Sequence, residues 1–447
     1  MNGCSVALLF FVLFTGSNAF AQVELGLSST RYLGQGSEAR VNRFSTVDFG
    51  LNADHFGNEV DARVIAQSQI GLNDSEYRFI EMPEVYLATS KKWTGDLRIT
   101  VGRKLVQWSV LDDTWAAGAF QSRFRWDYLH PSVVGGAGMF VELGQGLVKF
   151  TAYYSPVFVP DRGAPLDFSN GRVRSLSPWV VNPPYEIEIL RKQVPVRYDA
   201  KIPSIGEIIR QNSVGAKLAL GQDFGPFIST SYAYQPLNQL LMSYEGQLNL
   251  NAAGEVRATL YPRVAYHHVG AIDAGFRNSV FSGTLSLLAD LPVDNTQPLV
   301  RTSQQVGNFY LLSPTLSLNP FMNRAAGGNM TVSYLKVFGK DLPDQGLLSD
   351  GVSSEFDSRY PYKSAFLFSV LFPSWRKLTV DLKFLLDLEN PGTIVSWRFV
   401  YAASRAWKFS LATDILSSFT GGESDGTDFI HRYRENDRVT AGVRYVF

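Results

Sequence analysis

The chain has 447 residues, 45% hydrophobic and 18% charged, with 41 basic and 41 acidic side chains and a formal net charge of zero. That balance excludes bulk electrostatic attraction to nucleic acid or to an acidic partner. A mean hydropathy of −0.04, with no apolar run of helical membrane length beyond the amino terminus, excludes a helical membrane protein.

Residues 1–21 carry no charged side chain, an apolar stretch from Val6 to Phe14, and the small-residue site Ala19-Phe20-Ala21. They are predicted to be a secretory signal removed before Gln22. Cys4 precedes the apolar stretch and is not placed for lipoprotein acylation; without it no cysteine remains, which excludes disulfides and thiolate metal sites. Residues 22–447 show no linker, low-complexity tract or repeat and are expected to form one domain. Strand-like sequence from Val23 leaves no room for a soluble plug domain ahead of the first strand.

Segments of about ten residues with period two then recur along the chain. Val60, Ala62 and Val64 oppose Asp61, Arg63 and Gln67. In Ile99 to Trp108 the alternation breaks at Gly102, where a bulge would turn Arg103 or Lys104 inward. The loop 109–136 interleaves charge and aromatics, as Asp112-Asp113-Thr114-Trp115 and then Gln121 to Pro131, ahead of Gly135, Gly136 and Gly138. Folded into a lumen it makes a constriction or ligand site from Arg103, Lys104, Asp112, Asp113, Arg123, Arg125 and Asp127; the alternative is an outer loop packed on its own aromatics.

Val148, Phe150, Ala152 and Tyr154 oppose Lys149 and Thr151. The longest loop, 158–210, sets Arg162, Arg172, Arg174, Arg191, Lys192, Arg197 and Lys201 among aromatics and acids and reads as a solvated lid. Ser204 and Glu207 have capping-box spacing for a helical turn. The segments 227–270 and 304–317 are weakly patterned. Leu378, Val380, Leu382, Phe384 and Leu386 oppose Thr379, Asp381, Lys383 and Asp387; Val395, Trp397, Phe399 and Tyr401 oppose Ser396, Arg398 and Ala402; Trp407, Phe409, Leu411 and Ile415 oppose Lys408, Ser410 and Asp414. Finally Val439, Ala441, Val443, Tyr445 and Phe447 oppose Thr440, Gly442 and Arg444.

Connections alternate between short turns and the long loops 109–136, 158–210, 339–362 and 420–437. The predicted fold is all-β, a transmembrane antiparallel up-and-down β-barrel of about eighteen strands, with about sixteen acceptable, both termini on the short-turn, periplasmic side. Closure follows because an open sheet in lipid leaves its edge groups unpaired. A secreted sandwich or propeller would need polar residues at many of the apolar positions.

The terminal strand ending in Phe447 resembles the closing strand of bacterial outer-membrane β-barrels. The strand with Gly102-Arg103, followed by Trp108 and the Asp-, Trp- and Arg-rich loop, is similar to porin-like barrels of Gram-negative bacteria, and the size resembles alginate-export and substrate-specific porins of eighteen strands. The resemblance covers the mature chain as architecture and about 98–138 as a motif; no family binding residue is carried over. It implies a place in the bacterial outer membrane, with lipid and lipopolysaccharide around the barrel and the insertion machinery reading the last strand.

Polar faces give a lumen list: Arg63, Arg98, Lys149, Lys217, Arg257, Arg263, Lys377, Lys383, Arg398, Lys408 and Arg444, with Asp48, Asp54, Asp61, Glu84, Asp381, Asp387 and Asp414. A modest basic excess points to weak anion preference; pairing of the charges across strands would merely stiffen the wall. Histidines 55, 130, 267, 268 and 431 have no nucleophile or metal spacing, and the adjacent His267 and His268 face opposite sides of a strand. No enzyme, cofactor, metal or nucleic-acid partner is expected. The expected function is passive or substrate-selective diffusion of small hydrophilic solutes, the alternative a closed barrel for surface recognition or adhesion.

Overall fold

The alternating segments close into one antiparallel sheet of eighteen strands in the computed structural model. The structure describes residues 19–34, 42–74, 77–144, 146–175, 177–222, 224–249, 254–293, 298, 300–319, 328–346, 358–375, 377–419 and 428–447. The signal segment up to residue 18, and the parts 347–357 and 420–427 of two predicted loops, lie outside the described residues. In chain order the barrel strands are β1 (Ala19–Tyr32), β2 (Arg43–Phe56), β3 (Val60–Gly71), β4 (Arg78–Thr89), β5 (Leu97–Lys104), β6 (Gly136–Leu143), β7 (Val148–Ser155), β8 (Ser213–Gly221) and β9 (Gly225–Pro236). They continue as β10 (Tyr266–Arg277), β11 (Phe281–Pro292), β12 (Phe309–Leu318), β13 (Asn329–Phe338), β14 (Ser364–Trp375), β15 (Leu378–Asp387), β16 (Gly392–Ala402), β17 (Trp407–Ser418) and β18 (Arg438–Val446).

Each strand pairs with its sequence neighbour, and β18 returns to β1, from Glu24 opposite Val446 to Tyr32 opposite Arg438. The Phe447 amide donates to the Val23 carbonyl at 2.9 Å, so pairing runs to the last residue. Closure satisfies the ladder groups that an open edge would leave exposed. One end carries the connections 57–59, 90–96, 144–147, 222–224, 278–280, 319–328, 376–377 and 403–406, together with the start of β1 at Ala19 and the last residue, Phe447. The other end carries 33–42, 72–77, 105–135, 156–212, 237–265, 293–308, 339–363, 388–391 and 419–437.

Outward positions are large and apolar around the whole circumference: Leu25 and Leu27, Ile80 at 76% exposure, Val101, Met139, Phe150, Leu218, Ile228, Ile272, Leu285, Leu316, Leu371, Val395 and Leu411. A continuous apolar band of this kind is incompatible with water and suited to hydrocarbon. At the turn end Trp407, Tyr445 and Phe447 meet edge to face, with ring centroids 5.0 and 4.7 Å apart, as aromatics do at a membrane interface.

The extra residue predicted near Gly102 is on the neighbouring strand. Glu81 pairs with Gln67 and Glu84 with Ile65, so Met82 and Pro83 of β4 together oppose Ala66. The β5 ladder runs unbroken through Gly102, whose φ of 131° breaks the alternation instead. A Cβ there would collide with the Val85 carbonyl and approach Tyr86 Cα to 2.8 Å. Gly102→Val is therefore expected to destabilise the β4–β5 pairing by about 1–3 kcal/mol or more. The check is the fraction of protein migrating as the compact, heat-modifiable form; an unchanged fraction would contradict the assignment.

The weakly patterned stretch 237–265 departs from the lumen list. Leu241–Asn249 and Glu255–Arg263 form a hairpin in a separate six-stranded sheet with Glu186–Ile189, Lys192–Ala200, Thr302–Gln305 and Leu342–Gln345. Arg257 and Arg263 thus lie on an extra-barrel hairpin rather than a wall strand, because strand pairing outside the barrel produces the same alternation. Lys377 is also displaced, to a turn with φ of 73°, where its Nζ donates to the Ala403 carbonyl.

Candidate functional site: an inserted loop and the cavity it leaves

Loop 105–135 crosses the interior of the barrel and is fixed on both sides. Its helix, Val110–Trp115, starts at Ser109, whose hydroxyl accepts from the Leu111 amide and donates to Asp273 Oδ1 of β10 at 3.1 Å. The Trp115 indole donates to Ser313 Oγ of β12 and Ser333 Oγ of β13, both at 3.0 Å. Trp108, Leu111, Ala119 and Phe120 pack on inward Val269, Ala271, Leu288, Phe309, Leu311, Leu335 and Val337. Each large side chain so buried contributes about 1.5–3 kcal/mol, and together they fill this side of the lumen with an apolar core.

The loop then folds on itself. Asp112 accepts from the Ala119 and Phe120 amides at 3.0 and 3.1 Å, and Arg123 Nη2 donates to the Asp112 carbonyl at 2.8 Å. Asp161 of the next loop accepts from the Arg123 amide and from Arg125 Nε, at 2.7 and 3.0 Å. Asn238 and Gln235 donate to Gly118 and Phe120 carbonyls from the far wall. Arg123 is 2% exposed, so it is an internal cross-tie rather than a pore-facing cation.

On the return path Phe124 and Trp126 pack at tilted angles against Phe79 and Tyr77, and Gln67 donates to Ser132. A charged clamp joins the loop to the wall. Arg438 of β18 donates from Nη2 to Asp127 Oδ2 at 2.6 Å and from Nε to Asp414 Oδ2 at 2.7 Å, while His130 Nε2 lies 2.9 Å from Asp414 Oδ1. Asp127 and His130, adjacent enough in sequence to suggest an acid–base pair, thus turn to separate wall partners. Trp179 of loop 156–212 packs on Tyr128 and Tyr433 above the clamp. That loop was expected to be a solvated lid; its part around 161–179 packs on the inserted loop, while Glu186–Ile189 and Lys192–Ala200 join the second sheet. The capping box of Ser204 and Glu207 is present on Ile205–Ile209.

A second buried cluster ties residues 358–363 to β10 and β11. Asp290 accepts from Tyr360 Oη at 2.7 Å, pairs with Arg359 at 2.5 Å, and lies 2.5 Å from His267 Nδ1. Burial, with the Asp290 charge adding to it, pushes the Tyr360 hydroxyl well above the usual phenol range and keeps it a neutral donor. His268 faces outward against Tyr232.

A cavity of about 780 Å³ lies between residues 124–132 of the loop and the wall formed mainly by β1–β3 and β15–β18. Its basic members are Lys383, Arg398, Lys408, Arg438 and Arg444; its acids are Glu24, Asp48, Asp127, Asp381 and Asp414. Most of the charges nearby are paired: Arg444 and Lys408 share Glu24 at 2.8 and 3.6 Å, Arg63 binds Asp54 and Glu84 at 3.1 and 2.7 Å, and Arg98 binds Asp61 at 3.3 Å. Asp48 is held by Ser28, Thr46 and Gln69. Lys383 and Arg398 make no ion pair among the described residues and stand on the same stretch of wall.

The remaining candidates fall outside this cavity. Arg103 pairs with buried Glu81 at 2.9 Å, joined there by Arg162, and Lys104 pairs with Glu142 at 2.5 Å. Asp112 is internal and Asp113 is exposed on the same helix. Arg125 lines a smaller recess of about 100 Å³ beside Trp115 and Tyr128. Lys149 occupies an exposed position near the turn end of β7, and Lys217 donates to the Gln107 carbonyl at the root of the loop. Residues missed in the sequence include Glu24, Glu81, Asp161, Asp273 and Arg438. The last was readable, since the alternation of β18 puts Arg438 on the face of Arg444.

No family model and no curated protein matches the chain. Among solved structures, OccAB3 of Acinetobacter baumannii is similar over 97% of this chain and 100% of its own, at 9% identity and a TM-score of 0.48. OccK3 (OpdO) of Pseudomonas aeruginosa is similar over 98% of each chain, at 9% identity and 0.47. A mutant Rh. blastica porin is similar over 96% of this chain and 100% of its own, at 8% identity and 0.39. No residue role is transferred from them.

Proposed function

We propose that the protein is an outer-membrane channel of porin type, through which small hydrophilic solutes pass by way of the charged cavity beside the inserted loop. The observation that carries this reading is the combination of a closed barrel with an apolar exterior and an interior that the loop narrows without filling. A cavity of about 780 Å³ with converging polar groups is of the size that holds one small solute. The long-loop end faces outward in this reading and both termini face the periplasm, with the strand ending at Phe447 as the segment read during insertion. Lys383 and Arg398, without ion-pair partners among the described residues, support at most a weak preference for anions, because Asp381 lies opposite Arg398 on the same stretch of wall.

Proteoliposome swelling tests the proposal. Folded protein is expected to admit small sugars and amino acids at rates that fall steeply with solute size. Liposomes that swell no faster than protein-free ones would reject it and favour a closed barrel acting in surface recognition.

A further inference from the structure

A second polar site sits outside the barrel, in the six-stranded sheet to which four long loops contribute strands. Leu241–Asn249 pairs with Glu255–Arg263 on one side and with Thr302–Gln305 on the other, so Ser243 lies between Tyr261 and Ser303. Arg263, two residues from Tyr261, shares that face, and the Arg301 guanidinium lies 3.7 Å from the centroid of the Tyr261 ring. Two loops thus supply two guanidiniums and two hydroxyls to one place.

The donors there lack acceptors. Ser243 is 1% exposed and Ser303 fully buried, yet neither hydroxyl has a hydrogen-bond partner among the described residues. Arg263 gives Nη2 to the Gln304 carbonyl at 2.7 Å, but among the described residues its buried Nε and Nη1 have no acceptor, nor has Nε of Arg301. Burial alone lowers the Arg263 guanidinium from its ordinary value, with no carboxylate to oppose it. Glu245, the nearby acid, accepts from Tyr261 and Gln247, and its charge also interacts with Arg301 and Lys201, leaving Arg263 as the guanidinium with no opposing charge among the described residues. Leaving so many donors unpaired costs about 1–3 kcal/mol each, more for the charged ones, so the arrangement calls for an acceptor-rich guest.

We propose that this junction binds a phosphoryl group, either free in solution or carried on a lipid headgroup. A carboxylate offers two oxygens, whereas a phosphoryl group offers three and up to two negative charges, matching two guanidiniums and two hydroxyls. The site is separate from the cavity and does not depend on conduction. Bound there, the group would add to the strand pairing, the Arg263–Gln304 and Met242–Gln304 hydrogen bonds and the Arg301–Tyr261 contact that already tie loops 237–265 and 293–308 together.

The test titrates inorganic phosphate into the folded full-length protein in uncharged detergent, following binding by calorimetry, and repeats it with Arg263→Gln and with the double variant Ser243→Ala, Ser303→Ala. Heat-modifiable migration verifies that each variant is folded. Saturable binding is expected, weakened about tenfold or more in each variant. A second arm adds bis-phosphorylated lipid A in the same detergent: displacement of phosphate assigns the site to a lipid headgroup, and failure to displace it assigns the site to a free phosphate. Binding of neither ligand, or equal binding by the wild type and both variants, would overturn the proposal.

Discussion

Arg438→Gln is expected to release the return arm of the inserted loop and to give a larger, noisier open-channel current. Arg438 is 6% exposed and holds Asp127 of the loop and Asp414 of the wall at once. Its removal leaves two carboxylates facing one another without the cation between them, and breaking a buried pair in this way costs about 3–5 kcal/mol. The opposite arm stays anchored by Ser109 and Asp273, by Trp115 with Ser313 and Ser333, and by the apolar core against β9–β13. The expected result is therefore partial opening on the β15–β18 side with the barrel intact. Single-channel recording checks it, with Asp127→Asn giving a smaller change because it leaves Arg438 bound to Asp414. Currents identical to wild type in both variants would show that the clamp does not hold the constriction.

The second large effect concerns charge. Lys383→Glu with Arg398→Glu is expected to shift ion preference strongly toward cations, read as a displacement of the reversal potential under a salt gradient. A unit charge about 8 Å away at an effective dielectric of about 20 contributes about 2 kcal/mol to a passing ion, and each substitution reverses one such charge. Lys408 and Arg444 are poorer targets because Glu24 already offsets them. The effect should shrink at high salt, where the Debye length falls to about 3 Å. An unchanged reversal potential at low salt would mean that ions pass elsewhere in the lumen.

The barrel was legible because one physical rule, apolar outward and polar inward at period two, repeats in nearly every strand. The face assignments of Asp48, Asp381, Lys383, Arg398, Lys408, Asp414 and Arg444 follow from it, and all seven line the cavity. Where the same period arises outside the barrel it misleads: the hairpin carrying Arg257 and Arg263 alternates because it sits in a second sheet. At Gly102 the sequence signalled a break in alternation, but whether the extra residue lay on β5 or its neighbour depended on the pairing of Ile65 and Gln67 with Glu84 and Glu81.

The site was harder to read, for a reason of distance. Composition marked loop 109–136 as chemically dense, yet the role of each charge depended on a partner far away in the chain. Arg123 looks like a pore cation until Asp112 and Asp161 enclose it; Asp127 becomes a wall contact only through Arg438, 311 positions later. Such pairings are set by closure of the barrel and leave no local mark.

Planar-bilayer recording in the presence of poly(ethylene glycol) of graded size measures the narrowing directly, since polymers that enter the lumen depress conductance and larger ones do not. The structure predicts discrete channels whose polymer cutoff corresponds to the one-sided passage beside residues 124–132. Absence of channels from folded protein, or a cutoff as wide as an unobstructed eighteen-stranded lumen, would contradict it.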